Sequence, residues 1–477
     1  MSLTKNAFVS TVLASSFIFA GCSNDFKIDE IIAKKQAPLS IAESFSQTKN
    51  LSADEAAQCA KASCITIQKS ALGKIFLLIA SGKTAGSAPQ WYDLKPLVVS
   101  FELAGGRIAI LGQNYTSIYK EIQTVNLIQS FKVIAQNEDS VTFDWGRGLT
   151  TFVAQGSYDV DGERGENGDL TDSAFDSIPV TDSFIRDIKF DEQNIELEQI
   201  SKIRAEVGSP NAQKKLNIET REETLAMNIQ IRAYSLDSKF KAKEFDSSRR
   251  VGFFITRVGK ETLSKDVSKL ITKWDISEGR EPITVRISAA VPADYVQAVK
   301  EGAFYWNKVF GRDVIAVETD VDPQAAPKNR TIMIRWVNWL DAGAAYAMGQ
   351  SDPLTGEVLR AQVFMPAVFT KVGSADLVQL NGGSPVAEGM GAISCDFSSK
   401  VQELAKMSRE ASDSQRLRLA QDSVRATVAH ELGHALGLRH NFAGSFSSKV
   451  STHEIYESAK TYLKNKDHQG LETSTSI

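Results

Sequence analysis

Two periodicities divide the chain. Between about residues 72 and 275, apolar residues come in short runs or alternate with polar ones, the period of a half-buried strand. Residues 74–80 form one such run. Residues 98–103 and 107–111 flank Ala104-Gly105-Gly106, which predicts a hairpin with a glycine turn. Residues 131–135 and 141–145 flank a polar stretch and predict a second hairpin. Further strands are expected at 184–190, 225–234 and 251–257. Near residue 276 the spacing changes. Residues 283–287 predict a strand, and then Pro292 and Asp294 open a helix. Its apolar positions Val296, Val299, Ala303, Trp306 and Phe310 recur at three and four, and Gly311 closes it. Residues 331–336 predict another strand. Ser351-Asp352-Pro353-Leu354-Thr355-Gly356 predicts a turn leading into Val363-Phe364-Met365, and residues 398–436 are expected to be mostly helical.

This pattern predicts a β-rich N-terminal domain over 72–275 and an α/β (α+β) domain over 276–477, in which one helix backs a sheet and another lines a cleft. Before them lie a leader over 1–21 and a polar tether over 22–71, within which Ser52-Ala53-Asp54-Glu55 has the form of a capping box. A length of 477 residues suits two or three domains. The net charge of −4, from 54 basic and 58 acidic residues, offers no electrostatic case for nucleic acid or an anionic membrane surface.

The first residues change the picture. Lys5, an apolar run over 7–20 and then Gly21-Cys22 describe an export leader. Phe19-Ala20-Gly21-Cys22 resembles a bacterial lipobox, with Phe19 where leucine is commoner. The resemblance implies a mature chain that begins at a lipidated Cys22 and is anchored to a membrane of the cell envelope. Ser23 after the cysteine resembles lipoproteins sent to the outer membrane. Of the other cysteines, Cys59 and Cys64 either pair, as an oxidising compartment allows, or stay free on a short helix; Cys395 has no evident partner. The glycine-rich acidic loop over 159–169 lacks the spacing of an EF-hand, so a solvated loop is expected rather than a calcium site.

The chemistry gathers near the end of the chain. His430-Glu431-Leu432-Gly433-His434-Ala435-Leu436-Gly437-Leu438-Arg439-His440 reads H-E-x-x-H-x-x-G-x-x-H. Residues four apart share a helix face, so His430 and His434 can reach one metal ion. Glu431, one residue along, is placed to reach a water on that metal. Gly437 can take the positive φ that ends the helix and turns the chain, bringing His440 back as a third ligand. Three imidazoles leave one position of a tetrahedral zinc open, the mark of a catalytic site rather than a structural one.

These residues, with the following Asn441-Phe442, resemble the bacterial Met-zincin metalloproteases, whose catalytic domain follows a β-rich domain of unknown role. Lys300-Glu301-Gly302-Ala303-Phe304-Tyr305-Trp306-Asn307-Lys308 and Asp352-Pro353-Leu354-Thr355-Gly356-Glu357-Val358-Leu359 extend the resemblance. It implies a metzincin-like fold, zinc on His430, His434 and His440, Glu431 as general base, and a protein or peptide substrate. The chain departs from the family in one respect. Metzincins carry a methionine turn downstream of the third ligand, whereas here the last methionine is Met407. The expectation that follows is a catalytic domain continuing beyond residue 477. An extended substrate is expected along an edge strand near residues 363–365. Two other classes compete: a non-catalytic envelope lipoprotein with a decayed peptidase domain, and a zinc hydrolase of non-peptide bonds. The intact Glu431 speaks against the first, and the ligand set alone does not separate the second.

Overall fold

The computed structural model describes residues 40–48, 51–59, 63–84, 91–116, 121–153, 177–205, 221–235, 239–246, 252–258, 268–338, 345–371 and 412–440. Cys22, Cys395, the acidic loop over 159–169 and residues 398–411 and 441–477 lie outside them. Most of the described chain is β-sheet, with few helices, and no described helix is long and apolar enough to cross a membrane.

A 12-stranded antiparallel sheet takes up the first half. Its strands are β1 (Phe45–Gln47), β2 (Cys64–Gln68), β3 (Ile75–Thr84), β4 (Trp91–Asp93), β5 (Leu97–Ala104), β6 (Arg107–Thr116), β7 (Glu121–Gln136), β8 (Ser140–Asp144), β9 (Thr151–Val153), β10 (Ser177–Phe190), β11 (Asn194–Ala205) and β12 (Arg221–Ala233). They lie in the order β1-β2-β8-β7-β6-β5-β3-β12-β11-β10-β9, with β4 beside β3. Both expected hairpins form. In the first, Gly105 and Gly106 turn the chain between β5 and β6 with φ of 57° and 69°.

Two differences from the pattern have physical reasons. The described residues between 40 and 71, placed in the tether by their polarity, pack into this sheet. Short helices α1 (Ile41–Ser44) and α2 (Ala53–Gln58) flank β1, and Ile41, Phe45, Ile65 and Ile67 are buried in the core of this sheet. The capping box at Ser52 forms with Glu55, and Cys59 is disulfide-bonded to Cys64, tying the end of α2 to the start of β2. Strand β11 was not foreseen because buried polar residues interrupt its alternation. Gln199 faces the core at an inward position and is satisfied there by the Leu149 backbone, donating to its carbonyl at 2.8 Å and accepting from its amide at 2.9 Å.

A short hairpin, β13 (Ile255–Val258) with β14 (Ser268–Ile271), precedes a five-stranded sheet. That sheet holds β15 (Ile283–Ser288), β16 (Ile315–Val321), β17 (Thr331–Val337), β18 (Tyr346–Ser351) and β19 (Val358–Pro366) in the order β16-β15-β17-β19-β18. All neighbours are parallel except β18, which runs antiparallel to β19. Residues 363–365 are therefore interior, and the edge next to them is β18. Helix α3 (Ala293–Phe310) ends at Gly311 as its spacing predicts. Its buried stripe is Tyr295, Ala298, Val299, Gly302, Ala303 and Trp306; Phe310 lies on the same face in the last turn, 6.1 Å from the Trp306 ring, but is partly exposed there. Helix α4 (Asp413–Ala435) packs on α3, β18 and β19.

The two sheets meet through a buried polar joint. Gln350 on β18 donates to the carbonyls of Ala80 and Leu94. Gln362 on β19 donates to Asp93 at 2.7 Å, and Tyr234 donates to Asp352 at 2.8 Å. Arg360, wholly buried, donates to Gln350, to Gln230 at 3.1 Å and to the Pro327 carbonyl at 2.9 Å. Burial pushes the carboxyls of Asp93 and Asp352 up, and pulls Arg360 down to about 10 and Arg335 to about 9.

Candidate metal centre

Helix α4 begins at Ser412, whose hydroxyl accepts from the Gln415 amide while the Gln415 side chain accepts from the Ser412 amide, a complete capping box. Its first turns bury one stripe, through Leu419, Ala420, Val424 and Val428. From His430 to Ala435 every residue is buried, since the last turns run between the sheet, α3 and the segment before β15. Two indoles grip this end. Trp306 Nε1 donates to the Ala429 carbonyl at 2.9 Å, and Trp274 Nε1 donates to the Ala435 carbonyl at 2.8 Å. Ala435 is among the last carbonyls of the helix, which have no partner within it, so Trp274 supplies one.

The helix closes in a Schellman motif. The Leu438 amide donates to Gly433 at 3.0 Å and the Gly437 amide to His434 at 2.9 Å, with Gly437 at φ 106°. A side chain at Gly437 would also meet the Thr272 carbonyl, 2.5 Å from an ideal Cβ. Glycine is required there on two independent grounds.

The turn returns His440 to the helix. The metal-capable atoms of His430, His434 and His440 all lie within 4.8 Å of one another. His430 Nε2 and His440 Nε2 are 3.4 Å apart. Two nitrogens bound to a tetrahedral zinc at about 2.0–2.1 Å would stand about 3.3–3.4 Å apart, so this pair is already at ligand spacing. His434 Nδ1 lies 2.8 Å from the Leu438 carbonyl. A carbonyl only accepts, so Nδ1 carries the proton and the lone pair of the neutral ring sits on Nε2. The donor set of three imidazoles, one already oriented by a backbone oxygen, fits zinc. Glu431, in the same helical turn, is wholly buried.

The three expected ligands are thus brought together, and Glu431 lies in the turn that carries two of them. Sequence reasoning missed Trp274, Phe254 and the Leu438 carbonyl. Trp306 was placed on the buried face of its helix but not on the metal helix. Only pairings across more than a hundred residues connect the two tryptophans and Phe254 to the metal helix, and spacing carries no trace of them; the Leu438 carbonyl reaches His434 through the turn.

A family model described as Met-zincin matches residues 412–460, the stretch that holds α4 and all three histidines. No curated protein and no solved structure matches the chain. The family match and the histidine cluster fall on the same residues and make this part of the chain zinc-metalloprotease-like.

Proposed function

We propose that the chain is a zinc-dependent metalloendopeptidase whose catalytic unit spans residues 276–477, a metzincin-like α/β domain with α4 as its metal-bearing helix. The observation that carries this reading is the convergence of His430, His434 and His440, with Glu431 in the same turn, inside the Met-zincin match. The three imidazoles would hold the ion. Zinc held there supplies a Lewis acid that acidifies water towards a pKa of ~7 and polarises the peptide carbonyl. The Glu431 carboxylate takes the proton of the attacking water and passes it to the nitrogen of the departing amine. Strand β18 ends the five-stranded sheet and packs on α4, which places it beside the centre. The leader pattern supports a lipid anchor at Cys22, with the enzyme working at the cell envelope.

The test is digestion of a peptide library by the wild type and Glu431→Gln side by side. Glutamine keeps the shape and removes the base, so the variant should retain its zinc and lose cleavage by about 10²–10⁴-fold or more. Equal cleavage by the two proteins would end this assignment.

A further inference from the structure

The turn that carries the third histidine is not free-standing. The Phe254 amide donates to the Gly437 carbonyl at 3.0 Å, and the Arg439 amide donates to the Gly252 carbonyl at 2.7 Å, so Phe253 and Leu438 form an antiparallel bridge. On the far side of this segment the Thr272 amide donates to the Phe254 carbonyl at 2.9 Å. Next to it, the Lys273 amide donates to the Gly356 carbonyl at 3.0 Å, and the Val358 amide to the Lys273 carbonyl at 2.8 Å. Val358 is the first residue of β19. A continuous backbone ladder therefore runs from the start of β19, next to the edge strand of the five-stranded sheet, through residues 272–273 and 252–254, to the metal turn.

Side chains reinforce the ladder at the metal end. Phe254 is 1% exposed, and its ring lies 6.1 Å from that of His434. Gly252 permits the close approach, because a Cβ there would stand 3.2 Å from the Arg439 carbonyl and 3.5 Å from that of His440. The residue bridged to Phe253 is Leu438, whose carbonyl accepts the His434 Nδ1 proton.

We propose that the segment Gly252-Phe253-Phe254 is a positioning strand for the metal centre. It holds the Leu438 carbonyl where it selects the His434 tautomer, and Phe254 walls the His434 ring, so zinc affinity depends on a segment more than 170 residues upstream of the ligands. The inference rests on His430, His434 and His440 binding zinc, as the proposed function requires, but not on peptidase activity.

The full chain serves for the test, in three forms: wild type, Phe254→Ala and Phe254→Leu. Zinc affinity is measured by competition with a chelator, and ligand geometry by the visible spectrum of the cobalt(II)-substituted protein. Phe254→Ala should lower zinc affinity by about 10–100-fold, the usual effect of losing a group that orients a ligand, and should alter the cobalt bands. Phe254→Leu, which keeps an apolar wall, should recover most of both. A merely structural role would alter thermal stability and leave the cobalt spectrum of the folded protein unchanged.

A second measurement needs no variant. Linkage is reciprocal, so zinc binding must tighten whatever tightens zinc. Hydrogen exchange of the Phe254 and Arg439 amides in the wild type should slow on adding zinc, while amides of the β10–β11 pair should not change. Unchanged affinity and cobalt spectrum in Phe254→Ala, or exchange at Phe254 and Arg439 indifferent to zinc, overturns the proposal and leaves the metal site standing. A wild type that binds no zinc would overturn the metal reading itself, and the positioning strand with it.

Discussion

His430 Nε2 and His440 Nε2 stand 3.4 Å apart although ten residues separate them in the chain. A neutral N–H···N bond or a shared cation can bridge this spacing, and 3.4 Å is also the separation of two nitrogens on one tetrahedral zinc. The purified protein is expected to hold about one zinc per chain. His434→Ala should lose it, and chelation should lower the melting temperature of the wild type, because a ligand that binds only the folded state stabilises it. Affinity should fall in acid, where protons compete with the metal for the imidazole nitrogens. Metal analysis of the wild type, the variant and an acid series decides the matter, and zinc content equal in wild type and His434→Ala would count against the site.

Gly437→Ala should cost about 2–3 kcal/mol of stability, because a residue at positive φ is strained and the added methyl meets a carbonyl. The strain falls on the turn that delivers His440, so zinc retention should drop as well. Urea denaturation with and without zinc measures both effects. A variant as stable and as metal-loaded as the wild type would mean that the turn relaxes without cost.

The joint of Gln350, Gln362, Arg360 and Asp93 ties the two sheets together through buried polar groups. The described chain should therefore unfold in one transition rather than sheet by sheet. Removing Arg360 strands Gln350, Gln230 and the Pro327 carbonyl and leaves buried Asp93 with one fewer cation. Arg360→Ala should thus destabilise by about 3–5 kcal/mol. Two separate transitions in the wild type, seen by calorimetry, would show that the joint does not couple the sheets.

Asp275 lies beside Trp274, the residue that caps α4. Burial alone would raise its carboxyl, but hydrogen bonds from Ser277 and the charges of Arg280 and Arg330 outweigh burial and hold it below the usual range. A carboxyl depressed in the folded state adds stability above its unfolded pKa of ~3.9 and loses it as pH falls through the lower folded value. The gap in melting temperature between wild type and Asp275→Asn should be constant above pH ~5 and shrink below pH ~4. A gap that widens in acid would reverse the sign assigned to this group.

Local spacing on one stretch of chain determined the ligands. His430 and His434 share a face because a helix repeats every 3.6 residues, and His440 follows a glycine that must turn. Most strands, both hairpins and the ends of α3 were legible for the same reason, since each depends on the period of its own segment. The tertiary structure alone decided which distant segments meet. The described residues between 40 and 71 joined the large sheet because buried apolar side chains such as Ile41, Phe45, Ile65 and Ile67 outweigh a polar average. β11 hid behind Gln199, a polar residue satisfied by a backbone 50 positions away. β18 rather than residues 363–365 became the edge, and Gly252-Phe253-Phe254 came to lie along the metal turn. These are choices among pairings, set by hydrogen bonds and packing between parts of the chain whose separation no periodicity encodes.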